Sequence, residues 1–325
     1  MTSPRFSVVM PLFNKGPHVE AAIQSVLDQS FAPLELIVID DSSTDGGRER
    51  VAAMARPEIR LLTRDTPGPG GYAARNLGIV EAAGDWVAFL DADDIWLPDH
   101  LAVLADLIGQ MPTAGMAATR FDHVFDTHRQ PQRVTARLAE SGEADFGAFL
   151  AAWLDVRECP MWTGAIAIRR DLLMRVGLFP EGRALRGGDK DLWLRCARHM
   201  TLAYSPRVTA EFNRDSTNKV SKSTSTLAPP CLVRTAREML ADADAAERRL
   251  LRRLINQEIG YYLRYAMKSP GRVGIGIQDV ALPEGVRTLA LLVAVRWIPA
   301  TVRQSAYRLF TRRRMERGGG LLAAR

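Results

Sequence analysis

The chain from Phe6 to Asp91 alternates with a regularity that leaves few folds open. "FSVVM" reads as a buried strand, and His18 to Gln29 then carries apolar residues at helical spacing, Val19, Ala22, Ile23, Val26 and Leu27. The unit repeats: "LELIVID" is a second strand, Gly46 to Ala55 a helix, "IRLLT" a third strand, Gly71 to Ala83 a helix and "WVAFLD" a fourth strand. Near-continuous apolar strands joined by helices predict an α/β fold, a mostly parallel sheet with helices on both faces. Ligands of such sheets bind beyond the carboxyl ends of the strands.

Composition narrows the class. With 325 residues, 47% apolar and 25% charged, the chain has enough core material for one large or two smaller domains, and disorder is not expected. The net charge of +6 is uneven: residues 1–229 hold 25 basic and 29 acidic side chains, residues 230–325 hold 18 and 8. Positive charge is therefore a property of the C-terminal part, and nucleic acid is not an expected partner. Cys159, Cys196 and Cys231 show no CxxC spacing and no neighbouring histidine pair, which predicts buried thiols and not a zinc site. The apolar run in "FSVVMPLF" is too short for a signal peptide, so a cytoplasmic location is expected.

Two acidic clusters fall at predicted strand ends. In "IDDSSTDGG", Asp41 leaves the second strand toward the ligand edge, where a carboxylate can accept a hydrogen bond from a nucleotide; Thr44 and Asp45 read as helix-capping groups. In "FLDADDIWLP", three acids within four residues repel one another unless a cation sits among them. Asp91 and Asp93, two apart in extended chain, project to one side and can converge on Mg2+ or Mn2+, with Asp94 supporting them. Such an ion fills its remaining positions with water and phosphate oxygens, which implies a diphosphate ligand. A calcium loop would need Gly and Glu where Trp96 and Ala102 stand.

Four ordered stretches, "VVMPLFNKGPHVEAAIQSVLDQSF", "ELIVIDDSSTDG", "GGYAARNLGIVEAAGDWVAFLDADDIWLP" and "GGDKDLWLR", resemble those of family 2 glycosyltransferases of the A fold, over Phe6 to Asn213. The resemblance implies that Pro11, Phe13, Asn14 and Asp41 meet the nucleotide base, with Arg75 assisting. It makes Asp93 the direct metal ligand and puts Asp91 nearer the ribose or the metal's water shell. It also implies an inverting transfer from a nucleoside-diphosphate sugar, UDP first among the bases, to a hydroxyl of a glycan or lipid-linked acceptor. Asp189 is the implied general base, with Asp191 as the fallback. Gly188 departs from the family, which often has an acid there. Read apart from the resemblance, Asp189 could cap the helix that follows, and capping and catalysis could coexist. Trp162 is a candidate sugar platform beside the base; Trp193 also flanks it.

Glu211 to Pro230 is polar and aperiodic and reads as a loop or linker; the resemblance implies a basic residue near the diphosphate in this stretch, which has Arg214, Lys219 and Lys222 and no His. Helical spacing resumes after Pro230. The segment from Arg287 to Arg325 has nine basic residues and one acid interleaved with apolar ones. Its apolar run Leu289 to Val295 falls well short of the about 20 residues needed to cross a bilayer, so it reads as an interfacial segment for an anionic membrane surface. The expected organisation is a catalytic domain over 1–220, linker and accessory helices over 221–283, and a basic amphipathic segment over 284–325. Two rival readings stand beside this one. One is an NAD-binding oxidoreductase, from the GxGxxA match at Gly68 to Ala73, which Pro69 weakens by removing a backbone N–H. The other is a non-catalytic sugar-nucleotide-binding relative.

Overall fold

The computed structural model describes residues 3–216, 229–266, 274–299 and 301–305. The chain forms two compact units, Met1–Thr224 and Ser225–Arg325.

The first unit opens as the apolar pattern predicts: β1 (Phe6–Leu12), α1 (Gly16–Leu27), β2 (Glu35–Asp40), α2 (Gly47–Ala53), β3 (Ile59–Thr63), α3 (Tyr72–Glu81) and β4 (Trp86–Phe89). Helix α1 begins before the predicted His18 because Pro17 sits in its first turn, where its missing N–H costs nothing. Every residue of β2 is buried, as a strand covered on both faces requires. After β4 come β5 (Ile95–Trp96), α4 (His100–Gln110), β6 (Met116–Val124), β7 (Arg129–Pro131), α5 (Ala136–Ser141), β8 (Glu143–Ala144) and α6 (Phe146–Val156). They are followed by β9 (Ile166–Arg169), α7 (Arg170–Val176), α8 (Gly188–His199) and β10 (Leu202–Asn213).

These strands make one sheet in the order β3-β2-β1-β4-β9-β6-β10-β5, with β7 on β6 and β8 on β10. The parallel character expected from the alternation holds for β3-β2-β1-β4 and for β6 with β10. Between these blocks β9 runs antiparallel to both neighbours. The chain steps from β1 outward to β3 and then returns to β4 on the other side of β1. That reversal opens a crevice at the carboxyl ends of β1 and β4.

Two local expectations change. Glu211 to Asn213 are not loop: they complete β10 by pairing with Asp122 to Val124, which lets Phe212 pack on Trp162. Lys219 and Lys222 lie outside the described residues. Cys159 and Cys196 are buried thiols, whereas Cys231 is half-buried; burial pushes the Cys196 thiol up to about 12, so it is no nucleophile.

Helix α3 reaches the sheet through Gly78, where a Cβ would lie 2.5 Å from Val9 Cγ1 and 2.9 Å from Ile39 Cδ1. Only glycine allows this approach, and it is what carries the first turns of α3 to the ligand edge.

In the second unit, α9 (Cys231–Met239), α10 (Ala245–Ala266) and α11 (Val286–Trp297) form a small helical assembly. Buried Asn256 pins it, donating to Ala281 O at 2.7 Å and accepting from Ala281 N at 3.0 Å.

The start of α4 buries an imidazole. His100 stacks on Trp96 with ring centroids 4.3 Å apart, and its Nδ1 shares a hydrogen with Thr209 Oγ1 at 2.7 Å. Burial pulls its pKa down to about 3. The folded chain thus binds no proton there between pH 6.5 and about 3, while the unfolded chain does. Stability should fall with falling pH across that window by up to about 1.4 kcal/mol per pH unit. In His100→Gln, denaturant titrations between pH 6 and 4 should show a pH slope smaller by about one proton; an unchanged slope would contradict this account.

Candidate functional site

The crevice gathers residues from four strand ends. At the end of β1, Phe13 is exposed and Asn14 adopts a left-handed conformation, φ 51°. Asn14 Oδ1 accepts the Thr44 N–H at 2.8 Å and its own N–H donates to Ser43 Oγ at 3.1 Å, which ties the loop after β1 to the loop after β2. Asp45 is structural in the way the sequence predicts for an acid near a helix start. Its two oxygens accept the N–H groups of Gly16 at 2.8 Å and Gly47 at 3.0 Å, joining the starts of α1 and α2.

Asp41 is almost wholly buried. It pairs with Arg64 and accepts the Gly68 N–H at 2.9 Å. Gly68, the first glycine of the GxGxxA match, is thus bound to this carboxylate, and the third turn residue, Gly70, gives its carbonyl to Arg75 Nη1 at 2.8 Å. The loop is organised around Asp41 and Arg75 and not as a cradle of free N–H groups for a pyrophosphate.

The acids after β4 do not lie in extended chain. The Asp91 carbonyl accepts the Asp94 N–H at 3.0 Å, closing a turn that sends the carboxylates apart. Asp91 pairs with buried Arg75. Asp93 pairs with Lys15 Nζ at 2.7 Å and also accepts the Ser216 hydroxyl. Fully buried Asp94 accepts the Asn213 N–H at 2.9 Å and fastens the end of β10 to this turn. The charge problem posed by the acidic run is therefore met by two protein cations. Burial works against the Arg75 charge, but Asp91 by charge and hydrogen bond, helped by Tyr72 and Asp189, holds its pKa above the ordinary value.

Asp189 stands in the first turn of α8. The cap is Gly187 in the left-handed region, with no side-chain cap bond, so the capping role that its sequence position permits is not the one it plays. Its carboxylate is half-buried and within electrostatic reach of Arg75, and no hydrogen bond or ion pair to it is found among the described residues. Asp191, the fallback, is buried and pairs with Arg195 at 3.0 Å. Arg195 in turn donates to Val176 O at 2.7 Å and Leu178 O at 2.8 Å. That is the work of a scaffold residue. Gly188 is fixed sterically: a Cβ there would stand 2.8 Å from both Pro180 Cγ and Tyr72 Cζ.

Trp162 is half-buried and stacks on Phe212 at 4.8 Å and against Phe121 at 4.6 Å, with the Arg214 guanidinium 4.8 Å from the Phe212 ring. Trp193 is wholly buried and belongs to the core. Lys15, Arg64, Tyr72 and Ser216 were absent from the sequence reading. Only Lys15 left a trace there, as a cation one residue past Asn14 in the loop between β1 and α1.

A mostly parallel α/β sheet with an Asp-x-Asp turn at its reversal point, and a carboxylate near it that has no hydrogen bond or ion pair among the described residues, matches a class, the glycosyltransferases of the A fold. The glycosyl transferase family 2 profile matches residues 7–177, more than half of the chain, and the chain belongs to that family. The solved structure of S. aureus TarS 1-349 in complex with UDP-GlcNAc shares the fold, with a TM-score of 0.66 and 17% identity over 97% of this chain and 92% of that one. Escherichia coli WfgD, a UDP-Glc:alpha-D-GlcNAc-diphosphoundecaprenol beta-1,3-glucosyltransferase, is 41% identical over 29% of this chain and 37% of its own length. Bacillus subtilis TuaG, a teichuronic acid biosynthesis glycosyltransferase by its putative assignment, is 38% identical over 30% of this chain and 39% of its own length. The chain thus spans well under half the length of these curated relatives. Family membership removes the oxidoreductase reading.

Replacing Arg75 with Met would strip Asp91 and the Gly70 carbonyl of their partner. Because Asp91 remains partly open to water, a loss near the lower end for a broken buried pair, about 3 kcal/mol, is expected in chemical denaturation.

Proposed function

We propose that this chain transfers a sugar with inversion from a nucleoside-diphosphate sugar, UDP as the base, to a hydroxyl of a glycan or lipid-linked acceptor. The observation that carries this is the Asp189 carboxylate, which has no hydrogen bond or ion pair among the described residues and lies within electrostatic reach of the Arg75 that holds Asp91 at the crevice beyond β1 and β4. Support comes from the names of the relatives: WfgD uses UDP-Glc on a diphosphoundecaprenol-linked sugar, and TarS has been solved with UDP-GlcNAc and with UDP.

In this reading Pro11, Phe13, Asn14 and Asp41 surround the base, and Arg75 orients Asp91 toward the ribose. Asp189 accepts the proton of the acceptor hydroxyl as its oxygen attacks the anomeric carbon from the side opposite the leaving diphosphate. Half-buried Trp162, braced by Phe212 and Phe121, is the candidate platform for a sugar ring. Among the described residues no group of three or more His, Cys, Asp or Glu could hold a metal by itself. One or two hard carboxylates suit Mg2+ or Mn2+, which take their other ligands from water and phosphate; because the turn gives Asp91 to Arg75, the expected convergence of Asp91 and Asp93 is not met, and Asp93 alone would hold such an ion. Lys15 already meets Asp93 with a positive charge, so a bound ion would share that carboxylate with it. When bound, the ion neutralises charge developing on the diphosphate.

The lipid-linked acceptor brings the second unit into play at an anionic membrane surface, the inner face of the cell membrane. On α11, Val286, Ala290, Val293 and Trp297 are all exposed, and at 3.6 residues per turn they form one stripe, with Trp297 82% exposed. Exposed Arg287 and Arg296 project on either side of the stripe, while Leu292 and Val295 on the opposite face are buried. No helix among the described residues is long and apolar enough to cross a membrane; this pattern is that of a helix lying in the interface.

Two measurements follow. Thermal shift and calorimetry with UDP, GDP and dTDP, with and without Mn2+, should show metal-dependent stabilisation by UDP that Asp93→Ala loses; binding of none of the three would sink the transferase reading. Flotation with phosphatidylglycerol-containing liposomes should bring the chain to the top of the gradient, and Val293→Glu with Trp297→Glu should leave it at the bottom. Equal flotation of both would remove α11 as the contact.

A further inference from the structure

Tyr72, Arg75 and Asn76 lie three and four residues apart and so share one face of α3. Each grips a different part of the crevice. Asn76 exchanges two hydrogen bonds with the backbone of Phe179, its Nδ2 donating to Phe179 O at 3.1 Å and its Oδ1 accepting Phe179 N–H at 2.9 Å. Tyr72 accepts the Gly188 N–H on its hydroxyl at 2.9 Å. The segment from Phe179 to Gly188, which delivers Asp189, is thus held at both ends by α3, and the Arg75 between these grips holds Asp91.

The Tyr72 ring is itself immobilised. It stacks on Phe179 with centroids 5.8 Å apart and planes 14° from parallel, and Phe179 stands edge-on to Phe89 at 5.6 Å and Trp193 at 5.8 Å. The absence of a Cβ at Gly188 lets the backbone sit on the phenol, so the tyrosine and the glycine are complementary shapes. A hydroxyl fixed by a packed ring and bonded to the residue next to Asp189 leaves the first turn of α8 little freedom of register.

We infer that Tyr72 is a positioning residue for the transfer: its hydroxyl, through the Gly188 N–H, sets where the Asp189 carboxylate stands relative to the Arg75–Asp91 pair. The inference rests on the reading of Asp189 as general base. It assigns α3 the task of a jig that sets the distance between the donor side and the base side of the crevice.

The test is Tyr72→Phe, which keeps the ring and its stacking but removes the acceptor of the Gly188 N–H. The readout is UDP release from UDP-GlcNAc and UDP-glucose, with water standing in for the acceptor. A small displacement of a catalytic group costs on the order of 10²-fold, so kcat should fall roughly 10- to 100-fold, with donor KM and UDP affinity unchanged. In an Asp189→Asn background the same change should cost nothing more, because Tyr72 acts only through Asp189. Amide exchange at Gly188, which needs no substrate, should accelerate in Tyr72→Phe.

Wild-type kcat in Tyr72→Phe, a loss expressed in donor KM, or an equal further loss in the Asp189→Asn background would each overturn the inference. Full turnover by Asp189→Asn, or no UDP release by the unaltered chain, would overturn the reading of the base or of the activity instead. In that case unchanged exchange at Gly188 would still overturn the structural link.

Discussion

A guanidinium buried beneath the ligand edge is the constraint around which the first unit is arranged. Arg75 cannot be held there without compensation, and the compensation has three parts: the Asp91 carboxylate, the Gly70 carbonyl and the Phe179 ring 5.7 Å away. Each part commits a different stretch of chain. Asp91 fixes the turn after β4, Gly70 fixes the glycine loop before α3, and Phe179 fixes the approach to α8. Gly78 makes this possible by letting α3 settle onto Val9 and Ile39. The site is therefore a consequence of placing one charge, and its separate motifs are coupled because they all answer to that charge.

The same logic accounts for what could be read from the sequence. The strands β1 to β4 and the helices between them follow from apolar periodicity, which is local. Acids at strand ends point to the crevice because parallel sheets bind ligands there, and that inference also needs no partner information. Pairings between residues far apart in the chain were not legible. Lys15 on Asp93 spans 78 residues and Ser216 on Asp93 spans 123. Nothing in the acidic run shows that a turn, Asp91 to Asp94, sends two carboxylates to two different cations. The antiparallel direction of β9 is equally silent in "IAIR", since apolar content marks a strand but not its sense.

Gly188 illustrates a departure that only structure explains. Read in the chain, a glycine beside the candidate base removes a carboxylate and leaves a gap in the expected chemistry. In the folded protein the space is filled by the Tyr72 phenol and Pro180, so the glycine marks a contact and not a loss. Among the described residues Asp189 has no hydrogen bond or ion pair, while nearby Asp191 is consumed by Arg195. Division of labour between adjacent acids is set by what stands opposite each of them, which no spacing rule contains.

Antiparallel β9 also has a consequence for how the protein is made. Strand β4 finds one neighbour, β1, already synthesised, but its other edge pairs with Ile166–Arg169, about 80 residues later in the chain. At a translation rate of about 5–20 residues per second, that edge stays uncovered on the ribosome for roughly 4 to 16 seconds. During that interval the nascent chain presents the wholly buried strand "WVAF" with an open hydrogen-bonding side. The turn that follows it carries three acids, and like charge at the end of an open strand disfavours its pairing with the same strand of a second nascent chain. The carboxylates that later organise the crevice thus also stand where charge opposes edge-to-edge pairing of the strand that precedes them.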